Sequence, residues 1–167
     1  MTNIDRICAE VGFSIPKEQL DRSKQENAIR KALSILSQEG IFAYLIYLES
    51  EGKNIGWNER KNTRIPIGDD EKVHRLIMFC SAKMLNEIGK LHLNDLLSPE
   101  DDKLKLLLEG KNDKNDPDPV WSRLKEKFRT ELTKDGSILE DIPQMFFVKQ
   151  ILEKMLTYAL YRARSLR

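Results

Sequence analysis

Metal binding and nucleophilic catalysis both need reactive side chains at particular spacings, and the sequence offers few of them. The chain contains two histidines and two cysteines. His74 and Cys80 are six residues apart, a spacing that places them on different faces of a helix. His92 has no acid or cysteine at the spacing of a zinc site. We therefore expect no bound metal or cofactor, and we expect each histidine to be exposed or hydrogen bonded.

An acidic segment, residues 110–119, partly resembles a calcium-binding loop. Pro117 occupies the third ligand position counted from Asp113, however, and Asp118 occupies the position where glycine permits the turn. The sequence also contains neither a glycine-rich phosphate loop nor a Gly-x-Ser-x-Gly nucleophile motif. We predict a mobile, solvated acidic loop at about 110–119, and a protein that is not an enzyme.

Positive charge is concentrated in three segments, although the whole chain is nearly neutral. The chain has 28 lysines and arginines against 27 aspartates and glutamates, a net charge of +1. Segments 53–64, 120–134 and 143–167 contain four, five and five basic residues against one, two and one acids. Segment 98–118 contains seven acids and four lysines. The sequence therefore predicts a two-sided surface, whose basic part suits phosphate groups or an acidic protein partner.

Nine basic side chains are the candidates for nucleic-acid contact. Two lie on the polar face of a predicted amphipathic helix, three lie in a loop around Trp57, and four lie on the last predicted helix. Arg162 falls within the apolar stripe of that helix, where it must pair, reach water or meet a partner unless the helix has left the core. The candidates are Lys24, Lys31, Arg60, Lys61, Arg64, Lys149, Arg162, Arg164 and Arg167.

Helical periodicity dominates the elements that must position these residues, because apolar residues recur at spacings of three and four. The predicted helices cover 25–36, 41–48, 69–89, 120–132 and 143–166, and the sequence Ser-Pro-Glu-Asp at 98–101 is typical of a further helix start. Segment 52–68 contains three glycines and a proline, which favour a long loop or a small hairpin. We predict an all-α fold, a compact bundle of five or six helices, in a single domain over 1–167.

Length and composition favour a soluble domain. A chain of 167 residues with 40% hydrophobic residues is long enough to bury a core. Its longest apolar run, 41–48, has eight residues, whereas a membrane-spanning helix needs about 20. The first twelve residues lack the apolar stretch of a signal peptide. Two cysteines suit a reducing compartment. We therefore expect a cytoplasmic protein without membrane contact.

Two stretches, 39–48 and 153–162, share patterns with a known family. The first, Glu-Gly-Ile-Phe-Ala-Tyr-Leu-Ile-Tyr-Leu, follows an amphipathic helix and is similar to the pattern Asn-Gly-Leu-x-x-x-Leu-x-x-Leu, with Glu39 in place of the asparagine. The second, Glu-Lys-Met-Leu-Thr-Tyr-Ala-Leu-Tyr-Arg, is similar to a terminal helix in which an apolar run meets an arginine, and Arg162 matches that arginine. With these patterns the chain resembles the small all-helical subunit of type III CRISPR effector complexes.

The resemblance implies a non-catalytic subunit of a ribonucleoprotein complex in antiviral defence. Its implied partners are the guide RNA and the target strand, through their phosphate backbones, together with other effector subunits and copies of itself stacked head to tail. Cutting would belong to other subunits. A helical adaptor or regulator that binds an acidic protein is the alternative, and an enzyme without recognisable motifs is a second alternative.

Overall fold

Eight α-helices and one short hairpin form the regular structure of residues 3–137 and 140–166, the part of the chain that the computed structural model describes. The helices are α1 (Ile4–Phe13), α2 (Arg22–Glu39), α3 (Ile41–Gly52), α4 (Asp69–Glu87), α5 (Asn94–Leu97), α6 (Glu100–Glu109), α7 (Pro119–Thr133) and α8 (Ile142–Ser165). Strands β1 (Gly56–Asn58) and β2 (Thr63–Ile65) pair antiparallel. The predicted all-α bundle is confirmed, and the small hairpin lies within 52–68.

Side-chain caps and one glycine set several helix ends. Asn3, Asp21 and Asp141 precede α1, α2 and α8, and each side chain accepts a hydrogen bond from the backbone N–H three residues later. Gly40 separates α2 from α3 with a φ of 95°, a conformation that strains residues other than glycine. The chain therefore changes direction where the sequence predicts the break between two helices.

The structure contains two helices more than the upper number predicted from sequence. The alternation of polar and apolar residues near the start hides α1, although Cys8 and Val11 are buried at a helical spacing of three. The four residues of α5 form a separate helix before Pro99, and α6 begins at Glu100, where the sequence predicts a helix start. Both differences arise in short elements, in which few apolar residues define the period.

Helix α4 is the centre of the bundle. Every residue from 73 to 82 is buried, so neighbouring elements cover this helix on all sides. Helices α2, α3 and α6 pack against it, whereas α8 packs mainly against α1 and α2. Helix α2 therefore contacts both α4 and α8, and it carries the candidate residues Lys24 and Lys31 on its exposed side.

One buried arginine joins several of these elements. Arg75 of α4 is fully buried and forms two parallel hydrogen bonds with the Asp118 carboxylate, with Nη1–Oδ1 at 2.7 Å and Nη2–Oδ2 at 2.6 Å. The same guanidinium donates to the carbonyl oxygens of Gly52, Lys53 and Leu107 at 2.7 to 2.9 Å. All five guanidinium N–H groups therefore have acceptors.

Asp118 and an aromatic ring complete this cluster. The Asp118 carboxylate also accepts a hydrogen bond from the Ile55 backbone N–H at 2.9 Å. The Arg75 guanidinium lies 4.9 Å from the ring centroid of Trp121, close enough for a cation–π contact. The cluster thus connects the ends of α3 and α6, the approach to the hairpin and the first turn of α7 to the central helix.

Asp118 corrects the sequence prediction of a fully solvated acidic loop. The residue is 4% exposed, because its carboxylate is the counter-charge of Arg75. The segment 110–119 is also closed on itself, since the Lys111 backbone N–H donates to the Pro117 carbonyl oxygen at 2.8 Å. Its remaining acids, Asp113 and Asp116, are at least partly exposed. The mobility of this segment stays a prediction.

Removing the arginine of the cluster should destabilise the fold strongly. Arg75→Met keeps much of the side-chain volume but leaves the Asp118 charge buried without a counter-charge. We expect the free energy of unfolding, measured by urea denaturation, to fall by about 3–5 kcal/mol.

Arg129→Met is the matched control, because Arg129 forms an ion pair with Glu49 at the surface. This control should cost less than about 1 kcal/mol. Equal losses from the two substitutions would contradict the special role of the buried pair.

Candidate nucleic-acid interface

The hairpin candidates lie at its tip and on its second strand. Arg60 and Lys61 are exposed in the turn, where their backbone N–H groups donate to the Asn58 Oδ1 atom at 3.0 and 3.2 Å. Arg64 lies on β2, opposite Trp57 of β1, and is partly buried. The turn therefore presents two cations to solvent, whereas Arg64 is less exposed on the second strand.

The polar contacts of the hairpin lead to the acidic segment 110–119. Glu59 forms an ion pair with Lys114 at 2.9 Å, and the Thr63 hydroxyl lies 3.4 Å from the Asn112 side-chain oxygen. Arg60, between Glu59 and Lys61 in the chain, shares this end of the molecule. The hairpin that carries the three candidates therefore contacts segment 110–119. These contacts do not connect the hairpin to the candidates on α2 and α8.

The candidates on α2 and α8 occupy both ends of that helix pair. Lys149 donates to the Ser37 carbonyl oxygen at 3.0 Å, near the end of α2. Arg164 lies 3.2 Å from Glu26, near the start of α2. At a rise of 1.5 Å per residue, Lys149 and Arg164 are about 22 Å apart along α8. They therefore do not form one compact site, and Arg167 lies outside the described residues.

Arg162 is exposed near the end of α8 and lines a cavity. Arg162 therefore lies outside the core. Phe13, the last residue of α1, lines a second cavity with Arg162, so α1 ends at this level of α8 and does not cover the arginine. The first cavity, here called the basic cavity, has a volume of about 400 Å³. Its lining consists of Lys17, Glu18, Leu20, Arg22, Gln25, Arg162, Ser165 and Leu166.

The basic cavity collects cations from three separate parts of the chain. Lys17 precedes α2, Arg22 begins α2, and Arg162 lies near the end of α8. Glu18 is the one acid among the lining residues, so the positive charges exceed the negative by two. The Asp21 carboxylate caps the N-terminus of α2, so the three cations supply the positive charge of this cavity. This arrangement suits a phosphate group.

A buried glutamine fixes the shape of this cavity. Gln25 is 1% exposed, and its Oε1 atom accepts from the Lys17 backbone N–H at 2.7 Å. Its Nε2 group donates to the carbonyl oxygens of Lys17 and Leu20 at 2.8 and 3.1 Å. The turn between α1 and α2 is therefore tied to α2, which holds Lys17 near Arg22.

Sequence reasoning missed two cations of the cavity and one further pair on α2. Arg22 and Arg30 are exposed, and Glu26 between them pairs with both Arg30 and Arg164. A helix that begins three residues earlier, at Arg22 directly after the Asp21 cap, includes Arg22 in the amphipathic pattern. No local pattern marks Lys17, because only the tertiary fold brings it to α8.

His74 and both cysteines are buried, whereas His92 is exposed. His74 is buried, and its Nδ1 atom lies 2.7 Å from the Asp70 carbonyl oxygen. Because a carbonyl oxygen only accepts, Nδ1 carries the proton and Nε2 accepts from the Tyr47 hydroxyl at 2.8 Å. Burial raises the pKa of Tyr47 to about 12.

Cys8 and Cys80 are both buried and free. Within residues 3–137 and 140–166, no group of three or more His, Cys, Asp or Glu side chains is placed to hold a metal ion.

A second surface lies between α3 and α7. The two helices meet where Gly52 packs against the Trp121 ring, and beyond that point they leave an apolar groove of about 590 Å³. Phe42 and Ile46 are 56% and 52% exposed along one wall, and the buried Met78 of α4 forms part of the floor. The full lining is Phe42, Leu45, Ile46, Glu49, Ser50, Met78, Lys125, Phe128, Arg129, Leu132 and Thr133. An exposed apolar surface of this kind is typical of a protein-binding site.

Comparison with known proteins leaves these two surfaces as the evidence for function. No protein-family model, no curated protein and no solved structure matches the chain. Among the described helices, none has both the length and the apolar character that crossing a membrane requires. The basic cavity and the apolar groove are therefore the two features of the molecule that point to a function.

Removing the glutamine brace should loosen the wall of the basic cavity. Gln25→Ala leaves the Lys17 backbone N–H and two carbonyl oxygens without their partner, so we expect a loss of roughly 1–3 kcal/mol. Hydrogen exchange should show faster exchange at the Lys17 amide.

Gln38→Ala is the control, because Gln38 is exposed on the same helix. It should leave the Lys17 amide unchanged. Unaltered protection at Lys17 in the Gln25→Ala protein would show that the brace does not hold this turn.

Proposed function

We propose that this chain is a non-catalytic structural subunit that contacts the phosphate backbone of RNA, in a type III CRISPR effector complex as its sequence resemblance implies. The supporting observation is the basic cavity, in which Lys17, Arg22 and Arg162 come from three segments to one place. Arg162 is also the arginine that matches the family pattern in 153–162. Backbone contacts of this kind bind without reading base sequence.

The surrounding surface supports the same proposal. Helix α2 presents Lys24, Arg30 and Lys31 to solvent, and the Lys31 ammonium lies 5.9 Å from the Tyr47 ring centroid. Lys31 therefore lies on the α3 side of α2, whereas Arg30 is paired with Glu26 on the side that contacts α8. Lys24 and Lys31 are seven residues apart on one face of α2, so they offer two further contacts for phosphate groups outside the basic cavity.

Acidic residues elsewhere favour repeated contacts between copies. The exposed first turn of α6 contains Glu100, Asp101 and Asp102. Helix α6 packs against α4, α5 and α7, and not against the pair formed by α2 and α8. A surface with separate basic and acidic parts is suited to head-to-tail stacking, which repeats rather than closes. The proposed partners are therefore guide and target strands, other effector subunits and further copies of this chain.

Charge reversal in the basic cavity tests the proposal. Arg22→Glu with Arg162→Glu should weaken binding to a duplex RNA roughly tenfold or more at 0.1 M salt, measured by fluorescence anisotropy. The slope of log affinity against log salt should fall by about one for each lost phosphate contact.

Two further variants make this measurement specific. Arg60→Glu with Lys61→Glu tests the hairpin tip by itself, and Lys105→Glu on α6 reverses an exposed charge outside every candidate site. The hairpin pair should weaken binding only if the duplex also covers that end. Equal binding by the cavity variant and the Lys105→Glu protein would contradict a phosphate site at the basic cavity.

The apolar groove favours a second candidate function, a helical adaptor with an acidic protein partner. Its floor and one wall are apolar, whereas Lys125 lies on the α7 side and Arg129 pairs with Glu49 across the groove. Lys125 is bonded to Asn54 at 2.8 Å and lies 5.5 Å from the Trp121 ring centroid, so its charge is held at the rim. An amphipathic helix with acidic residues beside its apolar stripe would complement both features.

A pair of synthetic helices tests the adaptor function. A peptide with leucines at i, i+4 and i+7 and glutamates beside them should bind about tenfold more tightly than the same peptide with lysines, because the lysines would face the like charge of Lys125. Isothermal calorimetry measures both affinities.

Two exposed phenylalanines provide the matched variants. Phe42→Ser removes a wall of the groove, whereas Phe146→Ser removes a side chain of similar exposure, 54%, on α8. The first should abolish peptide binding and the second should leave it unchanged. An affinity for the peptide that changes neither with Phe42→Ser nor with the charge of the peptide would contradict the adaptor function.

A further inference from the structure

An aromatic surface adjoins the basic cavity. A second cavity, here called the aromatic cavity, has a volume of about 580 Å³ and is lined by Phe13, Tyr161, Arg162 and Ser165. Phe13 is 47% exposed and Tyr161 is 59% exposed. The aromatic cavity therefore shows two rings to solvent beside an arginine.

The Phe13 ring is held in place by α8. It stands edge-on to Tyr158, with ring centroids 5.6 Å apart and planes at 76°. The Tyr158 hydroxyl donates to Asp5 at 2.8 Å, and Lys154 pairs with the same carboxylate at 2.8 Å. This network fixes the ring against which Phe13 rests.

A close approach of α1 and α8 makes this arrangement possible. A Cβ atom on Gly12 would lie 2.4 Å from the Met155 carbonyl oxygen and 3.0 Å from the Tyr158 Cβ atom. Glycine at this position therefore lets the two helices touch and places Phe13 beside the end of α8. Phe13 and Tyr161 thus lie at the edge of the packed α1 and α8 pair, so the folded protein presents the aromatic surface without rearrangement.

The aromatic and basic cavities share two residues. Arg162 and Ser165 line both, so Phe13 and Tyr161 lie on one side of Arg162, and Lys17 and Arg22 lie on the other. A nucleotide has the same two parts, a flat base and an anionic phosphate, a short distance apart. Stacking of a base on an aromatic side chain is worth about 1–3 kcal/mol and does not depend strongly on base identity.

We propose that these adjoining cavities bind an unpaired nucleotide, with its base on the Phe13 and Tyr161 surface and its phosphate at Arg162, Arg22 and Lys17. This inference rests on the proposed function and narrows it. In a duplex both faces of each base are covered by neighbouring bases, so the aromatic surface has no function there. The site therefore selects single-stranded nucleic acid, such as a segment that flanks the guide–target duplex.

An abasic oligomer separates base stacking from phosphate binding. The probes are a ten-nucleotide oligouridylate and a ten-unit abasic ribose phosphate of equal charge. The folded protein should bind oligouridylate at least fivefold more tightly than the abasic strand. 2-Aminopurine placed in the strand should lose fluorescence on binding, as a stacked base does.

Substitutions of the exposed ring assign that preference to the aromatic cavity. Tyr161→Leu should weaken oligouridylate binding at least fivefold and leave abasic binding unchanged, whereas Tyr161→Phe should keep the wild-type preference. Tyr161 is exposed, so thermal unfolding should confirm that both variants remain folded.

The outcomes distinguish this inference from the proposed function. Equal binding of both oligomers, with sensitivity to Arg22→Glu and Arg162→Glu, would overturn base stacking and retain the phosphate site. A preference for oligouridylate that Tyr161→Leu does not change would also overturn the assignment to this cavity. Absence of binding by either oligomer and by duplex RNA would overturn both proposals.

Discussion

The fold depends on one buried charge pair, Arg75 with Asp118, which is the one ion pair of the described residues with both side chains buried. A buried arginine is stable only when its donors and its charge are both satisfied. Here the donors reach Asp118 and three carbonyl oxygens, two beside the end of α3 and one in α6. Since Asp118 immediately precedes Pro119, the pair also fixes where α7 begins relative to α3. The apolar groove is the space that remains where these two helices diverge.

The sequence predicts most helices because their apolar residues repeat with the helical period, as over 25–36 and 143–166. It does not predict the charge pair. Arg75 is a single charged residue among the apolar residues of α4. A charge at such a position normally lies on the solvent-exposed face of an amphipathic helix. Asp118 lies in a polar, proline-containing stretch whose composition is that of a surface loop. Their separation of 43 residues leaves no local pattern that connects them.

The candidate site is predictable in part for the same reason. Arg162 stands out because it interrupts an apolar stripe, and the structure gives it a place at two cavities. Its neighbours Lys17 and Arg22 come from a turn and a helix start far away in sequence. A helical wheel shows direction but no distance, so Lys149 and Arg164 share a flank without sharing a site. The basic and aromatic cavities use α1, α2 and α8, and the groove uses α3, α4 and α7, so nucleic-acid and protein contacts can coexist.

Ultraviolet cross-linking of the protein, purified from its native host with its bound partners, tests the central claim most directly. Mass spectrometry then identifies the peptides that carry nucleotides. A nucleotide bound across the aromatic and basic cavities predicts RNA linked through its base to peptides from residues 13–22 and 155–164. RNA linked only to other peptides, or partners that contain protein and no nucleic acid, would contradict a nucleic-acid contact at this end of the bundle.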